Sequence, residues 1–260
     1  MSIVELTKPP LMNGMVGIDL LKNMIAAIKI GSDYRNIVAS FGARIDAGFQ
    51  NALIVGAQGT GKTTFAKILA FEYRSAGIVP KDSPILFVNA MELAGEYIGQ
   101  SEERTKKLLS FDGVVIIDEI DSLLDMTKFG PSIFNTLNAH MGNAVFAPIV
   151  IAICYESRKD ELLRSNKGLE GRFRHVMQMP KYDVDDLTSM FIKKVHCAGL
   201  MCGNDVYSSV KNLLTQVKRS KGPLLANARE VQNIFDATID AHAARLSREG
   251  IDFSQSLERQ

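Results

Sequence analysis

The chain has 260 residues, 46% of them hydrophobic, and its 30 Lys and Arg against 29 Asp and Glu leave a net charge of +1. This is enough apolar material for one large core or two unequal ones, and the balance excludes a chain-wide basic footprint for nucleic acid or an acidic tail, leaving room only for a local basic patch. Cys154, Cys197 and Cys202 match neither a CxxC pair nor a zinc-finger spacing and read as thiols of a reducing compartment. MSIVELTKPP at the N-terminus has no signal-like apolar region. The apolar run at residues 147–155 is far shorter than the roughly 20 residues that cross a bilayer, so a cytoplasmic location without membrane insertion is expected.

In chain order, an amphipathic stretch with Ile18, Leu21, Ile25 and Ile28 comes first, then a strand-like run ALIVG at 52–56 and a helical pattern over 62–75. Further strands follow at 85–90, 114–118, 148–154 and 176–179, each short and rich in Val, Ile or Met, with a helical segment at 102–110. Alternation of this kind predicts an α/β fold: five parallel strands covered by helices on both faces. After Pro180 the strand signals stop. Three helical stripes follow, namely Leu187, Met190, Phe191 and Val195; Val210, Leu213, Leu214 and Val217; and Val231, Ile234, Phe235 and Ile239. The boundaries expected are an α/β domain over 1–181 and a small all-helical domain over 182–260.

GAQGTGKT at 56–63 fits G-x-x-x-x-G-K-[ST], directly after a strand and directly before a helix. Glycines 56, 59 and 61 let the backbone curl so that successive N–H groups and the positive helix end face phosphates. Lys62 would reach the terminal phosphates and Thr63 would offer a hydroxyl to Mg²⁺. Gln58, Thr60 and Thr64 complete the expected cofactor-binding stretch. VVIIDEID at 114–121 carries an apolar strand to an acidic end, where Asp118 would bind Mg²⁺ and Glu119 would orient the attacking water. The reaction expected is hydrolysis of ATP at the γ-phosphate, through charge stabilisation and positioning, with no covalent intermediate.

Four stretches together resemble the AAA+ ATPases, in particular the subgroup of CbbX-type Rubisco activases, the sporulation ATPase SpoVK and the EccA ATPase of type VII secretion. They are GAQGTGKTTFAKILA at 56–70, ELAGEYIGQSEERT at 92–105, SNKGLEGRFRHV at 165–176 and NAREVQNIFDATIDAHAARL at 227–246. The resemblance implies a strand order of 5-1-4-3-2 and a helical lid. It implies that Arg172, or Arg174 as the alternative, enters a neighbouring subunit's ATP site, where a guanidinium would neutralise charge on the transferring phosphoryl group. It matches Arg229 to the sensor-2 arginine, and Val16 and Gly17 to the segment lining the adenine. Relative to the subgroup, Glu170 replaces an expected arginine, and the fourth strand ends in Tyr155 where many AAA+ proteins place an Asn.

Tyr97, Ile98 and Gly99 match the aromatic-hydrophobic-Gly trio that lines the axial pore in such rings. An exposed aromatic between glycines offers sequence-tolerant apolar contact with many polypeptides. The resemblance therefore implies a protein-remodelling motor, most simply a hexameric ring acting on a protein client. Two alternatives stand beside it: a DNA-handling initiator or loader, for which the basic stretch KRSK at 218–221 is the support, and an ATP-switched assembly scaffold.

Overall fold

Along ALIVG, a period of two sends Leu53 and Val55 to one side and Ala52 and Ile54 to the other, and all four are fully buried. A strand apolar on both sides needs a helical layer on each face, and the fold supplies both. The computed structural model describes residues 2–10, 18–42, 50–97, 99–142, 148–203, 205–222 and 227–249. In chain order the elements are β1 (Val4–Glu5), α1 (Ile18–Ser40), β2 (Ala52–Gly56), α2 (Lys62–Ser75), β3 (Ile85–Asn89), α3 (Gln100–Leu108), β4 (Val114–Asp118) and α4 (Gly130–Met141). There follow β5 (Ile149–Tyr155), α5 (Lys159–Ser165), α6 (Leu169–Arg172), β6 (His175–Gln178), α7 (Val184–Cys197), α8 (Val206–Lys221) and α9 (Ala228–Arg248).

The sheet runs β1-β3-β4-β5-β2-β6. Five of its strands are parallel in the order the resemblance implies. The sixth corrects the five-stranded expectation: β1 pairs antiparallel with β3 at the outer edge, and Leu6 continues it by donating its N–H to the Ile85 carbonyl at 2.8 Å. Two residues carry no readable period, yet they give the edge groups of β3 a partner. One apolar layer joins Leu53, Val55, Val115 and Ile117 to Leu108, Ile133, Phe134 and Leu137. The other joins Ala52, Ile54, Ile116 and Ile153 to Phe65, Ile68, Leu69 and Tyr73 of α2 and Ile28 of α1. Each fully buried large side chain here is worth about 1.5–3 kcal/mol relative to exposure. α1 also presents Ile30, Tyr34 and Ile37 to solvent, and Phe41 follows in the turn after it, each 57–83% exposed, at spacings of four, three and four residues.

Two compact units divide the chain: one holds 1–57 and 61–180, the other 58–60 and 181–260. In the second unit, Asp183 caps α7 by accepting from the Asp186 backbone N–H at 2.7 Å, while the Asp186 side chain accepts the Asp183 N–H at 3.1 Å. Leu187, Phe191, Leu214 and Val231 form its interior, and Phe191 meets Phe235 edge to face at 6.0 Å. Leu213, expected in the buried stripe of α8, is 44% exposed, because with a period near 3.6 the residue next to buried Leu214 turns away from the seam. Within this unit Tyr182 donates its hydroxyl to the Thr60 carbonyl (3.0 Å), Asn227 its side-chain amide to the Gln58 carbonyl (2.8 Å), and Ala228 its N–H to the Gly59 carbonyl (3.1 Å).

Candidate functional site

Parallel strands place all their C-terminal ends on one edge of the sheet, and the pairing register decides which end residues become neighbours. Gly56 at the end of β2 pairs with Tyr155 at the end of β5, and Asn89 at the end of β3 pairs with Asp118 at the end of β4. Residues far apart in sequence thus line one row.

From β2 the chain turns through Gly59 (φ +71°) and Gly61 (φ +86°), conformations that residues with a Cβ rarely adopt, and α2 begins at Lys62. The first-turn N–H groups of a helix have no partner within it, so this turn is an anion cradle. Lys62 is buried. Its ammonium donates to the Gly56 carbonyl at 3.0 Å and the Ala57 carbonyl at 2.9 Å, and lies 4.3 Å from the centre of the Tyr155 ring. Burial pushes its pKa below the usual lysine value, and Asp118, Asp121 and Glu119 oppose that shift. Thr60 is fully buried, Gln58 is exposed and Thr64 is half-buried in the first turn of α2.

Across from the cradle, the Thr63 hydroxyl donates to Asp118 at 2.9 Å, and the Glu119 N–H donates to the other Asp118 oxygen at 3.0 Å. Desolvation raises the Asp118 pKa, and these two hydrogen bonds hold it back. Glu119 adopts φ +54°, ψ +45°, the left-handed region that is strained for a residue with a Cβ. Its two carboxylate oxygens have different donors: Asn89 Nδ2 at 3.2 Å on Oε2 and the Tyr155 hydroxyl at 3.4 Å on Oε1. Burial first, then the Glu119 carboxylate, push the Tyr155 phenol's pKa up, so it keeps the proton it donates. Behind this row Asp121, only 4% exposed, accepts the Tyr155 N–H at 3.4 Å. Burial lifts the Cys154 thiol to about 12, with Asp121 adding to the shift, which makes it inert as a nucleophile.

Lys62, Thr63, Asp118 and Glu119 are therefore brought together as the sequence reading expects. Asn89 was missed. Its signal is a polar residue closing the apolar run ILFVN, but only the β3–β4 register gives that position a carboxylate to hold. Tyr155 was singled out only as the residue standing in a polar sensor's place, while its contacts reach Lys62 and Glu119 together. Arg172 stands at the end of α6: its Nε donates to the Asn138 side-chain carbonyl at 3.0 Å, and its guanidinium packs so closely on Gly142 that a Cβ there would lie 2.7 Å from it. The predicted finger thus rests against α4 of its own unit. Arg174 is exposed, and Arg229 is exposed in the first turn of α9. Tyr97 is 68% exposed and Gly99 has φ +90°. Val16, Gly17 and Ile98 lie outside the described residues.

The donor set fits a magnesium nucleotide. A small hard cation keeps several waters and needs one or two protein oxygens plus the phosphates. Thr63 and Asp118 could supply those oxygens, beside glycines that leave backbone N–H groups clear to meet phosphate. No cage of three or more His, Cys, Asp or Glu side chains exists among the described residues.

A strand, a glycine loop and a helix N-terminus bearing Lys and Thr, beside a strand that ends in Asp-Glu, define a P-loop nucleoside triphosphatase. Residues 52–181 match the ATPase family associated with various cellular activities (AAA), and residues 183–259 match the AAA lid domain. This chain belongs to the AAA family and is an ATP-hydrolysing enzyme. It is 28% identical over 240 residues to stage V sporulation protein K of Bacillus subtilis, covering 90% of this chain and 74% of that one. It is 24% identical over 247 residues to the ESX-3 secretion system protein EccA3 of Mycolicibacterium smegmatis, covering 89% of this chain but 40% of the relative. With the plasmid protein CbxX of Cupriavidus necator it shares 31% identity over 196 residues, 74% of this chain and 61% of the relative. It thus spans less than two thirds of two of these three relatives. Among the described residues no helix is long and apolar enough to cross a membrane.

Proposed function

We propose that this chain is an ATP-driven remodelling motor that assembles into a ring, most simply a hexamer, and pulls on a protein client through an axial pore. The observation that carries this reading is the placement of Tyr97. Its side chain is 68% exposed, so it is not tucked beneath its own loop. The base of that loop is nevertheless anchored: Gly95 donates its N–H to Ser101 Oγ at 2.8 Å, Glu96 donates to Gln100 Oε1 at 3.0 Å, and Arg104 donates to the Ala94 carbonyl. An aromatic held out on a fixed base suits repeated apolar gripping.

At the nucleotide, Lys62 exchanges its two carbonyl partners for the terminal phosphates. Thr63 and Asp118 would hold the cation in place of their mutual hydrogen bond, and Gln58–Thr60 with Thr64 would lie about the phosphates. Magnesium ATP, when bound, supplies the phosphoryl group and the electrophilic metal. Glu119, fixed by Asn89 and Tyr155, accepts a hydrogen bond from the attacking water and holds it in line. Arg172 would leave Asn138 to complete the neighbouring copy's site, with Arg174 as the alternative donor. The exposed Ile30, Tyr34 and Ile37 on α1, with Phe41 just after it, support self-association, since exposed apolar surface marks interaction sites. The three cysteines are free thiols, which accords with a reducing, cytoplasmic setting.

The nucleic-acid alternative loses support at KRSK, because Lys218 donates to the Tyr182 carbonyl at 3.4 Å and Lys221 pairs with the buried Glu230 at 2.7 Å. The deciding experiment is capture with Glu119→Gln and ATP. A stalled ring should retain a protein client; retention of nucleic acid, or a monomer by light scattering at micromolar concentration, rejects the reading.

A further inference from the structure

We propose that Tyr155 is a positioning residue with two separable actions, its ring on Lys62 and its hydroxyl on Glu119, and that Asp121 holds it in place for both. The proposal rests on the reading of Lys62 and Glu119 given above and adds a residue that acts through them.

Three observations converge. The Lys62 ammonium lies 4.3 Å from the centre of the Tyr155 ring, within the range of a cation–π contact, and among the described residues this buried cation donates to the Gly56 and Ala57 carbonyls. The ring therefore offers an interaction that survives when Lys62 gives up those carbonyls for phosphate. The same residue's hydroxyl donates to Glu119 Oε1 at 3.4 Å, opposite the Asn89 amide at 3.2 Å on Oε2. Each oxygen of a carboxylate on a strained, left-handed backbone thus has its own donor, which restricts rotation of the group that must aim a water. Finally, the Asp121 carboxylate, 4% exposed, accepts the Tyr155 N–H at 3.4 Å, and the strand register sets Tyr155 opposite Gly56. The backbone from which this side chain springs is fixed from both sides. A phenol alone meets both needs: an aliphatic residue supplies neither action, and phenylalanine supplies only the first.

Three variants with separate readouts make the test. Tyr155→Phe should lower kcat about fivefold through the lost hydrogen bond, with the Kd for a fluorescent ATP analogue within about twofold of the parent. Tyr155→Leu should show the same loss of kcat and, in addition, a Kd raised roughly fivefold through the lost ring contact. In a Glu119→Gln background, residual single-turnover hydrolysis should be indifferent to Tyr155→Phe, because the hydroxyl acts through the carboxylate. An unchanged kcat in Tyr155→Phe overturns the proposal, as does an equal loss in the Glu119→Gln background. If Tyr155→Leu melts early, the phenylalanine arm and its double variant still decide the hydroxyl's role. Full turnover in Glu119→Gln alone would instead sink the underlying reading of the site, a different and recognisable result.

Discussion

The Thr63 hydroxyl donates to the Asp118 carboxylate across 2.9 Å, so the first turn of α2 and the end of β4 are joined by the two groups that would share a cation. A donor and an acceptor that satisfy each other without the metal keep both oxygens placed for it, and burial of Asp118 favours neutralising its charge.

Thr63→Ala removes one oxygen and leaves the other. The half-saturating magnesium concentration for phosphate release should rise about tenfold while maximal turnover changes less, since second-sphere water can replace a hydroxyl only in part. An unchanged magnesium requirement would remove Thr63 from the ligand set.

Lys62 and Glu119 should fail in different ways. Lys62→Ala removes the cation that meets the phosphates and is expected to weaken nucleotide binding by two orders of magnitude or about 3 kcal/mol. Glu119→Gln keeps the shape but loses the charge and one of the two oxygens that accept from Asn89 and Tyr155, so binding should persist while kcat falls at least about a hundredfold. Equilibrium binding and phosphate release on the same two proteins separate these outcomes.

What was legible in the sequence is what local chemistry enforces. A loop that needs left-handed backbone at Gly59 and Gly61 needs glycine there, and a strand buried on both faces needs the unbroken apolar run of ALIVG or VVIID. Position along the chain also announced Lys62, Thr63, Asp118 and Glu119. Asn89 and the double contact of Tyr155 were not legible, because each arises from register between strands about 30 to 100 residues apart in sequence. β1 escaped for another reason: at two residues it has no period to detect. The helices α5 and α6, seven and four residues long, are too short to carry a period, whereas α4 does carry one in Ile133, Phe134, Leu137 and Met141 and stayed unread.

Tyr97→Ala should leave basal ATPase within about twofold of the parent and reduce client remodelling at least about tenfold. The side chain is exposed and no described hydrogen bond uses its hydroxyl. Gly99→Ala is the companion variant: nothing lies within 4 Å of the added methyl, but φ +90° penalises it by the cost of left-handed backbone, about 1 kcal/mol. Full remodelling activity in Tyr97→Ala would detach this loop from client handling.

Arg172 is held by Asn138 at 3.0 Å, so action on a neighbour must break a bond within its own unit. Mixing Arg172→Ala with Lys62→Ala subunits tests this. Each is expected to be nearly inactive alone. In a mixed ring, a Lys62→Ala subunit lends its Arg172 to an intact cradle next door, and part of the phosphate release should return. No recovery at any ratio, with mixed assembly confirmed by light scattering, would leave Arg172 as a bond to α4 alone; the same experiment with Arg174→Ala then tests the alternative.

His175 provides a pH prediction independent of nucleotide. Burial, and then the positive charge of Arg174, lower its pKa below 6.5, and its Nε2 lies 3.3 Å from Gln50 Oε1. The native state therefore resists a proton that the unfolded chain accepts. Because the unfolded state binds more protons below pH 6.5, stability rises with pH in that window: the contribution is complete above 6.5 and is lost as pH falls toward the depressed native value. The limit for one proton is about 1.4 kcal/mol per pH unit, and the partial exposure of His175 keeps its contribution below that limit. His175→Gln keeps a side-chain donor and cannot titrate. Thermal midpoints of the two proteins should agree at pH 7.5 and diverge at pH 5.5, with the parent lower; parallel curves would show that His175 titrates alike in both states.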